Sequence, residues 1–325
     1  MPQDSPAAGG ARTPSLAVSV VGEIAAIVNG GRLELRSKKS AALLGYLALC
    51  EASSETRERL AGLFWSESDE AKARGSLRQS LRSLRRSFND IGFVGFYVDN
   101  HRVSIDCKLM QVDVQQVIDD VEQGGVHPKL LDQPRFCDRL FDGYDDVDPM
   151  FRVWVRARRQ TVHDRLCRAL EHRLADTQAP MRLRARTAAA LVSLDATHES
   201  ACRFLIRDRA ENGDVGTALR IYKELWDRLD EEYGAEPSEE TVQLIAKIKM
   251  GAFEPTSRAD SNPTSAQPPA PAAPANAARQ LTLGVAAFQV KNVSPARSGV
   301  LTGFRHALIA ALVRFREWHV VETTA

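Results

Sequence analysis

The sequence predicts a mainly α-helical chain of several domains that ends in a short α/β piece, and three observations carry that prediction. Near the N-terminus, β-branched and aliphatic runs are followed by three helical spacings and then a hairpin signal. In the middle, five apolar-periodic helical segments succeed one another with well-marked breaks. After a stretch rich in Pro and Ala, one strand-helix-strand pattern closes the sequence.

Composition sets the bounds. A chain of 325 residues with 44% hydrophobic content has material for two or three domains with ordinary cores. The formal net charge of +1 hides a segregation. Residues 111–150 carry ten acidic groups against Lys129, Arg135 and Arg139, whereas Lys72 to Arg86 is wholly basic. The odd set Cys50, Cys107, Cys137, Cys167 and Cys202 has no CxxC, which argues against a disulfide framework or a structural zinc site. Residues 1–14 lack the charged start and apolar run of an export signal, and no run approaches 18 apolar residues. A reducing, cytoplasmic setting is expected.

Residues 1–14, mostly Pro, Ala, Gly and Ser, read as a disordered leader. From Leu16 to Leu35, apolar runs flank Asn29-Gly30-Gly31, the strongest short hairpin signal in the chain. Ala41, Leu44, Leu47 and Ala48 then fall in helical spacing over Lys38 to Cys50, and Leu60, Leu63 and Phe64 do so over Glu55 to Phe64. A third helix follows Asp69, whose carboxylate can accept from the first free backbone amides. Apolar residues around Asp99-Asn100-His101 make a second hairpin between Phe93 and Ile105. Sheet, three helices and hairpin, in that order, are the parts of a winged helix over residues 15–108.

In the third helix Leu77, Leu81, Leu84 and Phe88 recur at steps of four, three and four, which sets them on one core-facing side. Arg74, Arg78, Arg82 and Arg85 form a second stripe, with Gln79 and Arg86 further round. Six positive charges between Lys72 and Arg86, with no acid among them, repel each other and attract polyphosphate. An arginine-rich face on its own is ordinarily a solvated surface, and the order of elements around it is what makes this one meaningful.

Three phrases carry a resemblance: Leu43-Leu44-Gly45-Tyr46-Leu47, Leu60-Ala61-Gly62-Leu63-Phe64-Trp65, and the run from Ala73-Arg74-Gly75-Ser76 to Arg85-Arg86. Together they resemble the DNA-binding half of the bacterial activators called Streptomyces antibiotic regulatory proteins, whose winged helix is of the OmpR type. The resemblance implies that Arg74, Ser76, Arg78, Gln79, Arg82, Arg85 and Arg86 lie in the helix that touches DNA. Glutamine can pair with an adenine edge and arginine can fork onto guanine, while other arginines grip phosphate and set register. Which arginine does which is left open by the residues. Arg74 and Arg85 lie close enough to the leucine stripe to serve instead as helix-edge residues. His101 and Arg102 fall at the expected wing tip, where an ordinary hairpin turn accounts for the histidine equally well.

Residues 112–150 read as an acidic, less regular linker with one helix at Val114 to Glu122, its carboxylates keeping it off the DNA. No calcium-loop spacing occurs there. Pro149 to Asp176 reads as a long helix with Phe151, Trp154, Val155, Val162, Leu166, Leu170 and Leu174 on its apolar side. Four shorter helices follow at 181–193, 198–211, 214–233 and 238–250, with Asn212-Gly213, Gly234 and Pro237 as their breaks. Small residues in the phrase from Gly213 to Tyr222 suit the close approach of tetratricopeptide-like helical hairpins. Leu191-Val192-Ser193-Leu194-Asp195 with Glu199, and Tyr233-Gly234-Ala235-Glu236-Pro237, resemble the bacterial transcriptional activator domain of the same family, assigned to residues 109–251. That resemblance implies a helical module for dimerisation or for contact with the transcription machinery.

Residues 252–279 read as a Pro/Ala-rich linker. Residues 280–325 read as one β-α-β fragment: strand 281–288, helix 299–316, strand 318–322. The fragment resembles the start of a TolB-like domain, and its size suggests a chain cut short of its natural end.

No phosphate loop, GxGxxG, G-x-S-x-G or HExxH motif occurs, so neither catalysis nor a cofactor is expected. His163, Cys167 and Glu171 share a helix face, but among Arg165, Arg168 and Arg173 they read as packing rather than as metal ligands. The sequence thus describes a cytoplasmic regulator that binds double-stranded promoter DNA, with RNA polymerase contact and homodimerisation implied by the resemblance. The competing reading is a helical-repeat adaptor whose basic helix is merely solvated.

Overall fold

The computed structural model describes residues 16–251 and two strands at 281–286 and 318–323. Two compact units divide between Asp176 and Thr177. The expected leader, linker and helix at 299–316 lie outside the described residues.

In the first unit, β1 (Leu16–Ser19) pairs antiparallel with β2 (Ala25–Val28), and β2 with β3 (Gly31–Arg32). Asn29 and Gly30 join β2 to β3, both at positive φ, 49° and 87°. That is the two-residue turn their sequence favours. Helices α1 (Lys38–Leu49), α2 (Arg57–Phe64) and α3 (Glu70–Asp90) follow, capped by Ser37, Thr56 and Asp69. Between α1 and α2 runs β4 (Ser54–Thr56), which pairs with the hairpin β5 (Phe96–Val98) and β6 (Arg102–Ile105) in the order β4-β6-β5. These are the expected winged-helix parts in order, with one addition: Glu55 and Thr56, read from the sequence as the start of the second helix, belong instead to β4 on the wing sheet, and α2 begins at Arg57.

The first sheet takes its fourth strand, β7 (Met110–Val112), from beyond residue 108, in parallel with β1. Asp113 then accepts from Ser19 Oγ at 2.7 Å and from the Val20 amide at 3.0 Å. A boundary after residue 108 therefore separates strands of one sheet.

The stretch read as a less regular linker with one helix at Val114 to Glu122 has that helix, and the rest of it is a structured part of the core. It forms α4 (Asp113–Glu122), α5 (Pro128–Asp132) and a 3-10 turn at Phe136–Arg139, and it buries Leu130, Phe136, Leu140, Phe141, Tyr144 and Val147. Phe136, Leu140, Tyr144 and Val147 recur at steps of four, four and three, yet the backbone here is a short 3-10 turn and loop rather than an α-helix, so period marks the buried groups without giving their form. Phe141 lies against α1, where a Cβ at Gly45 would meet its ring at 2.7 Å. Only glycine admits that approach.

Helix α6 (Pro149–Ala175) completes this unit, burying Phe151, Val155, Val162, Leu166, Leu170 and Leu174. Phe151 packs on Phe64 of α2 with ring centroids 4.8 Å apart, and Trp154 on Tyr46 of α1 at 4.6 Å.

The second unit contains α7 (Met181–Leu194), α8 (Glu199–Glu211), α9 (Val215–Tyr233) and α10 (Glu239–Lys249). Ala210 and Ala218 are buried with Ile206, Tyr222, Trp226, Leu244, Ile245 and Ile248 in one cluster. Small side chains let α8 and α9 come close, as tetratricopeptide-like hairpins require. Gly234 ends α9 in the left-handed region at φ 59°. Strands β8 (Leu281–Ala286) and β9 (Trp318–Thr323) pair in parallel, the arrangement a β-α-β unit needs.

Candidate nucleic-acid interface

Helix α3 is about 30 Å long at 1.5 Å per residue. Its position is set by Ala73, Leu77, Leu81, Leu84 and Phe88, all buried. Phe88 lies 5.0 Å from both Phe93 and Phe96, which fixes the C-terminal end of α3 against the wing. At its other end, Asp69 Oδ1 accepts from the Lys72 amide at 2.9 Å.

The opposite face is exposed at Lys72, Arg74, Arg78, Gln79, Arg82, Arg85 and Arg86. Geometry divides these groups. Arg74 is ion-paired with Glu70 one turn earlier. Arg85 Nη2 donates to the Val98 carbonyl at 2.8 Å and thereby braces the wing. Among the described residues, the side chains of Arg78, Gln79, Arg82 and Arg86 have no protein partner, so their donors face solvent. Ser76 is half-buried, on the flank of the leucine stripe away from Arg74 and Arg78. The structure does not bring it into the arginine row.

The wing tip is a built turn. Asp99 Oδ1 accepts from the amides of Arg102 and His101 at 2.7 and 2.6 Å, and these backbone hydrogen bonds hold its carboxyl below the usual carboxylate range. Arg102 Nε donates to Ser54 Oγ at 3.2 Å, so this cation is partly engaged. His101 is exposed.

Two groups here escaped the sequence reading. Arg57 donates from its backbone amide to the His101 carbonyl at 2.8 Å and from Nη1 to the Asp99 carbonyl at 3.0 Å, tying the start of α2 to the wing. Tyr97 is 54% exposed on β5. Alternation in β5 could have placed Tyr97 outward, whereas no local signal announces a contact 42 residues apart.

Elsewhere, His163 Nε2 lies 3.6 Å from Cys167 Sγ. Among the described residues, no group of three His, Cys, Asp or Glu side chains is placed to hold a metal ion. Burial pushes the Cys137 and Cys202 thiols up to about 12, far from the thiolate a nucleophile needs. No described helix is long and apolar enough to cross a membrane.

Residues 138–249 match the family model described as bacterial transcriptional activator domain. Among solved structures, the chain is similar to Mycobacterium tuberculosis EmbR in complex with a low affinity phosphopeptide, with 17% identity and a TM-score of 0.47. That likeness covers 72% of this chain and 65% of EmbR's, so less than two thirds of the latter is spanned. No curated protein sequence matches. Residues 280–325 lie beyond the family match. Residues 138–249 thus match a bacterial transcriptional activator domain and follow the winged-helix elements in the chain.

Proposed function

We propose that this chain is a cytoplasmic, non-enzymatic transcriptional regulator that binds promoter DNA through α3 and recruits RNA polymerase, acting as a homodimer on adjacent half-sites. The observation that carries the DNA step is the row Arg78, Gln79, Arg82 and Arg86. It is exposed, has no protein partner among the described residues, and is mounted on a helix whose other side is core. A major groove about 12 Å wide admits such a helix. Within it, Gln79 has the donor and acceptor that an adenine edge requires, and arginine suits guanine or phosphate. Arg74 and Arg85 serve first as internal braces, and Arg102 and His101 approach the backbone beside the groove. The activator-domain match supports the transcriptional role, and polymerase contact and dimerisation are what the resemblance to that family implies.

The test is binding of the whole chain to promoter fragments from its own genome and to random-sequence DNA, at two salt concentrations. Site-selective binding that weakens steeply with salt supports the reading. If the folded chain binds no DNA at low salt, the reading is wrong, and the helical half becomes the place to seek protein partners.

A further inference from the structure

A helix cap needs one side-chain acceptor for one free amide. Asp148, the cap of α6, does more. Its Oδ1 accepts from the Met150 amide at 3.0 Å, which is the cap itself. The same oxygen accepts from Ser66 Oγ at 2.6 Å, and Oδ2 accepts from the Ser66 amide at 3.0 Å. Two of these three bonds leave the helix and cross 82 residues of sequence, and the carboxylate that makes them is only 6% exposed.

Ser66 sits in the short loop between α2 and α3, three residues before the Asp69 cap of α3. The loop is held at its start by Lys39, whose Nζ donates to the Phe64 carbonyl at 2.7 Å and lies 5.0 Å over the Trp65 ring. Ser68 donates back to the Trp65 carbonyl at 3.1 Å. Ser66 thus ties the loop to Asp148, which lies in the segment matched by the activator-domain family. Phe151, one turn into α6, packs on Phe64 at the other end of the same loop.

We propose that Asp148 is a positioning residue for DNA reading: it clamps the α2–α3 loop and so fixes the angle at which α3 presents its arginine row. This rests on the DNA-binding reading above. The leucine stripe of α3 keeps the helix folded without the clamp, but its N-terminal end then has more orientations to lose on binding. Base contacts depend on alignment to a fraction of an ångström, whereas phosphate attraction is long-ranged and tolerant. Loss of the clamp therefore lowers discrimination between a selected site and random DNA and leaves the salt-driven background in place.

The experiment uses the whole chain and a site selected from a random DNA library. Asp148→Ser keeps a good cap but is too short to reach Ser66, and Ser66→Ala removes one of the two clamp bonds without touching the charge. The expected result for Asp148→Ser is about tenfold weaker binding to the selected site, with random-DNA affinity and its salt slope unchanged. Ser66→Ala moves the same way by less, and Asp148→Asn, which retains one oxygen acceptor, is intermediate. If Asp148→Ser does not fold, Ser66→Ala alone decides. Unchanged selected-site affinity, or an equal fall on both DNAs, overturns the clamp. Failure of the unsubstituted chain to bind any DNA overturns instead the DNA reading on which the clamp rests.

Discussion

Helices α3 and α6 are both long and both rich in arginine, yet they use that residue in opposite ways. Helix α3 leaves Arg78, Arg82 and Arg86 with no protein partner among the described residues. In α6, six of seven arginines are engaged. Arg152 donates to the Asp145 carbonyl at 2.9 Å, Arg158 to the Leu49 carbonyl at 2.6 Å and Arg159 to the Leu140 carbonyl at 2.8 Å. Arg165 grips Glu122 through two bonds of 2.6 and 2.8 Å, Arg168 returns to the Asp164 carbonyl, and Arg173 pairs with Asp176. A count of positive charges ranks the two helices alike. What separates them is the supply of acceptors around each, which only the fold reveals.

The contrast predicts that changes on α6 alter stability, while changes on the exposed row of α3 alter binding alone. The largest effect falls on the α6 core. Phe151→Ala removes a fully buried ring between Phe64, Phe141 and Trp154, and is expected to lower unfolding free energy by about 3–5 kcal/mol in denaturant titration. Next comes the pair Arg78→Ala/Arg82→Ala. At about 1–3 kcal/mol per base contact, this variant should bind selected DNA on the order of 100-fold more weakly, with an unchanged thermal midpoint.

Arg158→Ala is the mirror experiment. Its guanidinium pKa is lowered by burial, and its loss strands the Leu49 carbonyl. A stability loss of about 1–2 kcal/mol with unchanged DNA affinity is expected. An unchanged melt with weaker binding would erase the distinction between the helices.

The smallest effect belongs to Glu122. The Arg165 guanidinium holds its carboxyl below the usual glutamate value, yet both side chains are more than 40% exposed, so solvent screens the pair. Glu122→Gln should change stability by less than about 1 kcal/mol. A carboxylate with a lowered folded pKa stabilises the fold above its unfolded pKa, about 4.3 for glutamate, and that contribution is lost as pH falls through the lower folded value. Parallel acid melts of the two proteins should therefore converge only below about pH 4.

The elements that were legible in the sequence are those whose signals are local. Leu77, Leu81, Leu84 and Phe88 announce α3, Asp69 announces its start, and Asn29-Gly30 announces the first turn. The helices from α6 to α10 follow from period and breaks in the same way. Illegible were features set by distant partners. Phe136, Leu140, Tyr144 and Val147 keep helical steps in a segment that is no α-helix, so their burial comes from tertiary packing that the spacing alone does not describe. Strand β7 is three residues long and finds its partner β1 almost a hundred residues earlier, so the sheet crosses the boundary drawn at 108. At the interface, exposure of the arginines could be read from spacing. The i, i+4 pair of Glu70 with Arg74 and the place of Ser76 off the arginine row follow from the same spacing, whereas the contacts of Arg85 and Arg102 with distant residues and the reach of Asp148 to Ser66 do not.

The central claim is that the row on α3 meets phosphates and bases while the arginines of α6 do not. Its most direct test is the slope of log affinity against log salt concentration for the whole chain on one selected site. Each phosphate contact contributes about 0.9 to that slope. The account predicts a slope shallower by up to about 1.8 for Arg78→Ala/Arg82→Ala, depending on how many of the two grip phosphate, together with weaker binding. Arg158→Ala should keep the unsubstituted slope. Equal affinities and slopes for all three proteins, or a slope that falls only for the α6 variant, would contradict it.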